Sequence, residues 1–329
     1  MAPPSPPPHH RPGGGFRNPW VEQAAPAFGG LLKWLLVHRT TRPRPKDPDP
    51  GVFVRVASSF AAPRAPVDRV TVTWVGHASV LLQLGGLNIL TDPMWSARAA
   101  PLGPLGPRRW VAPGVPFDAL PPIDLVLQSH NHYDHLDDRT VRRLAGAHPD
   151  ARWLVPLGLA AFVAARGVQS VTELDWWQER VIGPVRAACV PAQHFSGRGF
   201  RDRGATLWCG WALAAGDPPR RVCFAGDSGL HPEFGAIGER YGPFDVALLP
   251  IGAYEPRWFM RYVHMNPEEA VLACRALGAR VMIPIHWGTF KLTDEAMDEP
   301  PVRARAAWRA AGLPGNSYHQ LAHGETFTL

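Results

Sequence analysis

Leu125-Val126-Leu127-Gln128-Ser129-His130-Asn131-His132-Tyr133-Asp134-His135-Leu136-Asp137 is the stretch on which the fold turns. Its apolar opening, which begins at Ile123 and is broken only by Asp124, has the length of a buried strand. It stops abruptly at three histidines and two aspartates. Setting so many polar groups at the end of a core strand is costly unless something pairs with them. A cation is one partner that satisfies His, His, Asp and His together. In extended backbone His130 and His132 point the same way. Asp134 and His135 then fall in the turn and at the start of a following helix, aimed back at the same space. One ion cannot easily take four side chains from so short a loop, whereas two adjacent ions can. The H-x-H-x-D-H spacing, with a strand before it and a helix expected over 137–147 after it, predicts a formed metal site and not a solvated histidine tract.

The same theme recurs down the chain. Cys189-Val-Pro-Ala-Gln-His194 and Val281-Met-Ile-Pro-Ile-His286 are apolar runs ending in histidine, and Val222-Cys-Phe-Ala-Gly-Asp227 ends in aspartate. Four strands delivering such residues from one end describe a site along one edge of a sheet sandwich. Residues 70–74, 79–84 and 87–91 read as short strands, with Gly85-Gly86 as a hairpin turn. Further strands are expected at 153–155, 181–191 and 325–329. Helices are expected at 157–165 and, apart from Pro300 and Pro301, at 294–311. Asn266 as N-cap, Pro267 at the first position, and Glu268 and Glu269 in the first turn mark one more helix start. Strands and helices are interspersed with no long linker. The chain therefore divides into a Pro/His/Gly-rich tail (1–15, expected disordered), an arm (16–69) and one catalytic domain (70–329).

The bulk numbers narrow the function. The chain has 329 residues, 46% of them hydrophobic, which is ample for a large core. Its net charge of +6 suits an anionic substrate or an acidic lipid surface, with no case for nucleic acid. Four cysteines without a CxxC pattern read as reduced, buried thiols. No apolar stretch approaches the ~20 residues that span a bilayer, and residues 1–15 lack the apolar core of a secretory signal. A cytoplasmic protein is expected. Leu31, Leu32, Trp34, Leu35 and Leu36 with nearby basic residues form either an interfacial membrane contact or an arm packed on the domain.

Other side chains are assigned from their setting. Asp137, just past the cluster, is expected to accept a hydrogen bond from a ligand histidine. His77, in Trp74-Val-Gly-His77, is read as a structural hydrogen-bonding residue near the site. His38, His148, His231, His319 and His323 are read as surface or loop residues. Trp258, Phe259 and Met260 either line an acyl groove or belong to the core, and Arg257 either meets phosphate or lies on a solvated face.

His130-x-His132-x-Asp134-His135, His194, Asp227 in Gly-Asp-Ser-Gly, and His286 together resemble the signature of the metallo-β-lactamase fold, from about residue 70 to the C-terminus. The blocks Asn131-His132-Tyr133-Asp134-His135-Leu136-Asp137, Pro250-Ile-Gly-Ala-Tyr-Glu-Pro-Arg-Trp-Phe-Met260, His264 with Pro267-Glu-Glu-Ala270, and Ile285-His-Trp-Gly-Thr-Phe290 resemble more narrowly the N-acyl-phosphatidylethanolamine-hydrolysing phospholipases D. Phe16-Arg-Asn-Pro-Trp20 is similar to an N-terminal segment of those enzymes. The resemblance implies an α+β, four-layer αββα sandwich. It implies two zinc ions: His130, His132 and His194 on one, Asp134, His135 and His286 on the other, and Asp227 between them. The donors also admit manganese or iron. A hydroxide bridging the ions would attack the phosphodiester, with Asp134 and His264 as catalytic residues. Tyr133, Tyr254, Arg257, Trp258, Phe259 and His264 would meet the phospholipid. A lactonase of a small phosphorylated substrate and a non-catalytic lipid-binding protein are the competing readings, and a homodimer is left open.

Overall fold

In the computed structural model, residues 6–21, 28–42, 44–100, 106–199 and 201–329 are described. Residues 1–5 of the expected tail and 101–105 of the loop ahead of the histidine cluster lie outside them. The strand Leu125–Leu127 sends Leu125 and Leu127 into one buried cluster and Val126 into another. Both faces of its sheet are thus covered, so its sequence is continuously apolar instead of alternating.

The first sheet contains β1 (Thr71–Gly76), β2 (Ser79–Leu84), β3 (Leu87–Thr91), β4 (Leu125–Leu127), β5 (Arg152–Pro156) and β6 (Ser170–Leu174). The second contains β7 (Glu179–Ile182), β8 (Val185–Val190), β9 (Gly210–Ala215), β10 (Arg220–Phe224), β11 (Val246–Pro250) and β12 (Val281–Ile285). The last strand, β13 (Thr326–Thr328), returns to pair with β1, so the orders are β13-β1-β2-β3-β4-β5-β6 and β12-β11-β10-β9-β8-β7. Pairing is antiparallel from β13 to β3 and parallel from β3 to β6. In the second sheet it is antiparallel from β7 to β10 and parallel from β10 to β12. Gly85 and Gly86, at φ 58° and 76°, make the tight turn between β2 and β3, a conformation that glycine adopts without strain.

Between the sheets Val72, Trp74, Val80, Leu82 and Leu127 meet Val190, Trp211, Leu213 and Phe224 in one core. Val141 and Leu144 of the Asp138–Ala147 helix cover the outer face of the first sheet with Val75, Leu81, Leu90 and Trp153. On the other side the helices Glu233–Tyr241, Pro267–Ala276 and Glu299–Ala310 bury Phe234, Val271 and Trp308. Helix, sheet, sheet, helix is the expected four-layer order. Asn266 accepts from Glu269 N and Glu269 reaches back to Asn266 N, completing the capping box at the anticipated helix start.

Local boundaries differ from expectation where tertiary contacts override propensity. Residues 181–191 form parts of two strands, turning at Gly183-Pro184. The last helix begins at Glu299, so Pro300 and Pro301 occupy its first turn, where proline costs no backbone hydrogen bond. Asp294 stays outside it and receives Trp34 Nε1, Arg39 Nε (3.2 Å) and Arg44 Nε (2.5 Å). The tract expected to be disordered makes specific contacts over its described part. His9 is buried and stacks on Trp176 with ring centroids 4.2 Å apart. Proline-rich composition hides such contacts because the sequence carries no periodicity. The helical run Phe28–Lys33, Trp34–His38 and Arg39–Thr41 packs Trp34 against Phe259 and exposes Leu32, Leu35, Leu36 and Val37. No helix among the described residues is long and apolar enough to cross a membrane.

Candidate metal centre

The side chains in question leave the strands at one edge of the sandwich. Asp92 follows β3, the loop 130–135 follows β4, His194 follows β8, Asp227 follows β10, and His286 follows β12 directly. His130 Nε2 lies 2.9 Å and His194 Nε2 3.1 Å from His132 Nδ1. Asp134 Oδ2 lies 3.5 Å from His135 Nε2 and 3.7 Å from His286 Nε2. Asp227 Oδ2 stands between the groups, 3.1 Å from His135 and His286 and 3.7–3.9 Å from His194 and His130. Seven side chains named from the sequence therefore surround one buried volume as two triads with a shared carboxylate.

Residues fit cations here on the geometry alone. His135 Nε2, His286 Nε2 and Asp227 Oδ1 are buried without a hydrogen-bond partner, and such orphans each cost about 1–3 kcal/mol. Such atoms within converging groups of candidate donors fit a cation. The set is nitrogen and carboxylate oxygen with no thiolate.

Electrostatics separate the two triads. Burial holds His130 well below the usual histidine range and takes His132 and His194 down to about 3 and about 4. These rings are neutral, the form that ligates. Burial also acts to lower His135 and His286, but Asp227 and Asp134 outweigh it, raising His135 well above the ordinary value and His286 to about 9. Asp134 and Asp227 sit well below the carboxylate range because their histidine neighbours outweigh burial. The second triad thus gathers positive charge around its carboxylates, the role a cation takes on binding.

The backbone is bent to achieve this. His77, Asp92 and His286 adopt φ of 57°, 34° and 62°, a region that costs non-glycine residues energy and clusters at functional sites. Gly226 at φ 60° brings Asp227 in close; a Cβ there would stand 2.7 Å from Ser129 Cβ and 2.8 Å from Cys209 O.

The supporting contacts revise part of the sequence reading. Asp137 does not orient a ligand histidine: its Oδ2 accepts from Thr140 Oγ1 (2.5 Å) and Ser96 N (3.2 Å), at the start of the helix it precedes. The orienting carboxylate is Asp92, 2.7 Å from His135 Nδ1, which also accepts from Ser129 Oγ at 2.5 Å. Ser129 Oγ is in turn 2.8 Å from His130 Nδ1. Asp92 carried the same signal as the others, an apolar strand ending in a polar residue, without a neighbouring histidine to draw attention. His194 Nδ1 donates to Val263 O at 2.8 Å. Asn18 Nδ2, from the N-terminal arm, donates to His194 O at 2.9 Å. His77 Nε2 is 2.9 Å from Asp134 Oδ2, as a hydrogen-bonding residue beside the site should be. His231 and His323 are buried, not on the surface. His231 stacks on Trp20, and His323 packs on Trp74 with Nε2 3.0 Å from Thr289 Oγ1.

Residues assigned to substrate fall into three groups. His264 lies at the centre: its ring is 4.9 Å from that of His194 and 5.3 Å from that of His286, and burial keeps it neutral. Tyr133 is beside the cluster, its hydroxyl donating to Arg198 O at 2.7 Å and its ring under the Arg198 guanidinium at 4.0 Å. The others are committed elsewhere. Tyr254 is fully buried and bonds Glu299 Oε1 at 2.7 Å. Arg257 grips both Glu269 oxygens at 2.8 Å and His264 O at 2.9 Å. Trp258 and Phe259 pack under Leu31 and Trp34 of the arm.

Known proteins are similar to this chain in sequence and fold. Residues 87–287 match the beta-lactamase superfamily domain. An uncharacterized protein of Mycobacterium tuberculosis is 43% identical over 285 residues, spanning 84% of this chain and 73% of its own length. N-acyl-phosphatidylethanolamine-hydrolyzing phospholipase D 1 of Caenorhabditis elegans is 44% identical over 239 residues, or 69% of this chain and 67% of that enzyme. A metallo hydrolase from Ignicoccus hospitalis superposes with a TM-score of 0.59 at 24% identity, covering 79% of this chain and 98% of the other, and so shares the fold. With residues 87–287 inside the family and two converging donor triads at its sheet edge, the chain belongs to the metallo-β-lactamase-fold, metal-dependent hydrolases.

Proposed function

We propose that this chain is a dizinc phosphodiesterase that cleaves N-acyl-phosphatidylethanolamine or a related glycerophospholipid. The observation that carries the reading is the shared carboxylate between two triads, combined with 44% identity to the Caenorhabditis elegans enzyme over 69% of the chain. His130, His132 and His194 would hold one ion and Asp134, His135 and His286 the other, with Asp227 placed to serve the two triads. A bound pair of zinc ions supplies an acidified water and a clamp on the oxygens of a phosphodiester. His264, neutral and beside both triads, donates a hydrogen bond from its ring to a phosphate oxygen. His77 and Asp92 keep Asp134 and His135 in register. Zinc-loaded protein incubated with N-acyl-phosphatidylethanolamine in mixed micelles should release a phosphatidic acid and an N-acylethanolamine. Turnover of a soluble lactone with the lipid untouched would overturn the substrate assignment.

Contact with a lipid surface belongs to the same proposal. Leu36 and Val37 are 66% and 52% exposed, on a helical run that also carries Lys33 and Arg39, a combination suited to an anionic interface. Asn18, Trp20 and Trp34 brace the folded domain, so point substitutions on the exposed face test the contact. Leu36→Ser with Val37→Ser should weaken sedimentation with phosphatidylglycerol vesicles while sparing hydrolysis of a soluble diester; unchanged sedimentation would refute the contact.

A further inference from the structure

A second set of metal-type donors meets away from the centre. His9 Nε2 lies 2.7 Å from Asp175 Oδ1 and His10 Nε2 2.8 Å from Asp175 Oδ2. All three offer ligand atoms within 4.8 Å of one another. Adjacent residues in extended backbone point to opposite sides, yet here the turn before His10 and its bridge to Phe16 bring both imidazoles onto one carboxylate. His9 is held by its stack on Trp176, and His10 packs edge-on against Phe16 at 5.0 Å. His10 keeps one side open, its side chain 29% exposed. Two imidazoles and a carboxylate with solvent-facing positions left over make a known zinc donor set.

We propose that His9, His10 and Asp175 form a third cation site, which takes a zinc-type divalent ion and locks the N-terminal arm onto the body. Ligation uses the lone pair on each Nε2, so each neutral ring then carries its single proton on Nδ1, with no net change in protons bound. Three donors, one of them the half-exposed His10, bind more weakly than the seven donors of the buried centre, so this site fills last. Its effect reaches the centre through the arm. Eight residues beyond His10, Asn18 donates to His194 O and accepts from Trp208 Nε1 at 3.2 Å. Trp20 donates to Gln193 Oε1 at 2.6 Å and stacks on Trp176 and His231. Fixing the arm at Asp175 therefore fixes the segment that holds the His194 backbone.

The test uses the full chain, stripped with chelator and reloaded over a range of zinc concentrations, with metal per chain measured by elemental analysis. Wild type should take up two ions first and a third at higher zinc. His9→Gln with His10→Gln, which keeps an N–H donor for Asp175 and so protects folding, should stop at two. Tryptic cleavage after Arg17 should slow severalfold with the third equivalent in wild type and not in the variant. Two ions at saturation in both proteins, or a third retained in the variant, would overturn the site. Cleavage that ignores the third ion would overturn the lock. No bound metal in wild type at any concentration would instead sink the dinuclear centre along with it, so the two failures are distinguishable.

Discussion

Asp92→Asn separates two accounts of what orients the histidines of the candidate metal centre. Asp92 is fully buried, and its Oδ1 accepts from Ser129 N (2.7 Å) and Gln128 Nε2 (3.0 Å), while its Oδ2 serves His135 Nδ1 and Ser129 Oγ. One carboxylate thus touches a histidine of each triad, one directly and one through a hydroxyl. Asparagine keeps the volume but replaces an acceptor by an NH2 group. Turned toward His135, that group forces Nδ1 to accept and moves the ring proton to Nε2, the atom that faces Asp227. Turned toward Ser129, it sets donor against donor. Groups that orient ligating histidines are worth about 10–100-fold in metal affinity, or about 1.4–2.8 kcal/mol. Loss of a hydrogen bond to a charged acceptor falls in the same range, about 1.5–3 kcal/mol. Competition against a chromophoric chelator measures this directly, with Asp137→Asn as the comparison. Asp137 bonds Thr140 and Ser96 and no histidine, so its variant should bind metal within about twofold of wild type, far from the effect on a histidine-orienting group. Wild-type affinity in Asp92→Asn, or an equal loss in Asp137→Asn, would refute the reasoning.

Three further outcomes follow from the same contacts. Arg257→Lys keeps the charge but loses the fork on Glu269 and the bond to His264 O, so stability should fall by about 1–2 kcal/mol. Its kcat should drop with KM little changed, whereas a rise in KM alone would restore Arg257 as a substrate contact. Gly226→Ala, forced into φ 60° with backbone and Ser129 in its way, should melt much lower than wild type, while Gly235→Ala, with nothing within 4 Å of a new Cβ, should gain about 0.5–1 kcal/mol by helix propensity. Chelation should lower the melting temperature, because an ion present at 100-fold its dissociation constant adds about 2.7 kcal/mol; a melting curve indifferent to chelator would count against ligation by the orphaned Nε2 atoms of His135 and His286.

How far the sequence reaches depends on whether a signal is local. His130, His194, Asp227 and His286 were legible because each ends an apolar strand, a contrast that needs no knowledge of the partner strands. Arg257 was not, since its role rests on Glu269 twelve positions away and on a carbonyl presented by the loop between them. Asp137 looked better placed than Asp92 because it is closer in sequence to the histidines, whereas parallel pairing of β3 and β4 sets Asp92 against Ser129 across a gap of 37 residues. His231 and His323 sit in irregular segments, where no periodicity reports burial. Their rings are covered by Trp20 and Trp74, contacts made only once the arm and β1 are in place.

Backbone geometry supplies the remaining reason for these residue types. His77, Asp92 and His286 all stand at positive φ, where glycine would cost less than histidine or aspartate. Such positions cost about 1–3 kcal/mol each and persist only when their surroundings over-determine them. Here the surroundings do so across the sandwich: His286 N donates to His77 O at 3.0 Å, and His77 N donates to Thr289 Oγ1 at 2.8 Å. Asp92 N bonds Leu127 O at 3.0 Å, tying β3 to the root of the histidine loop. Conformational ease therefore does not select the side chains at these three turns. What selects them is the chemistry they deliver, His286 as a candidate donor and His77 and Asp92 as the groups that hold Asp134 and His135. The close packing of two sheets is what makes the strain tolerable.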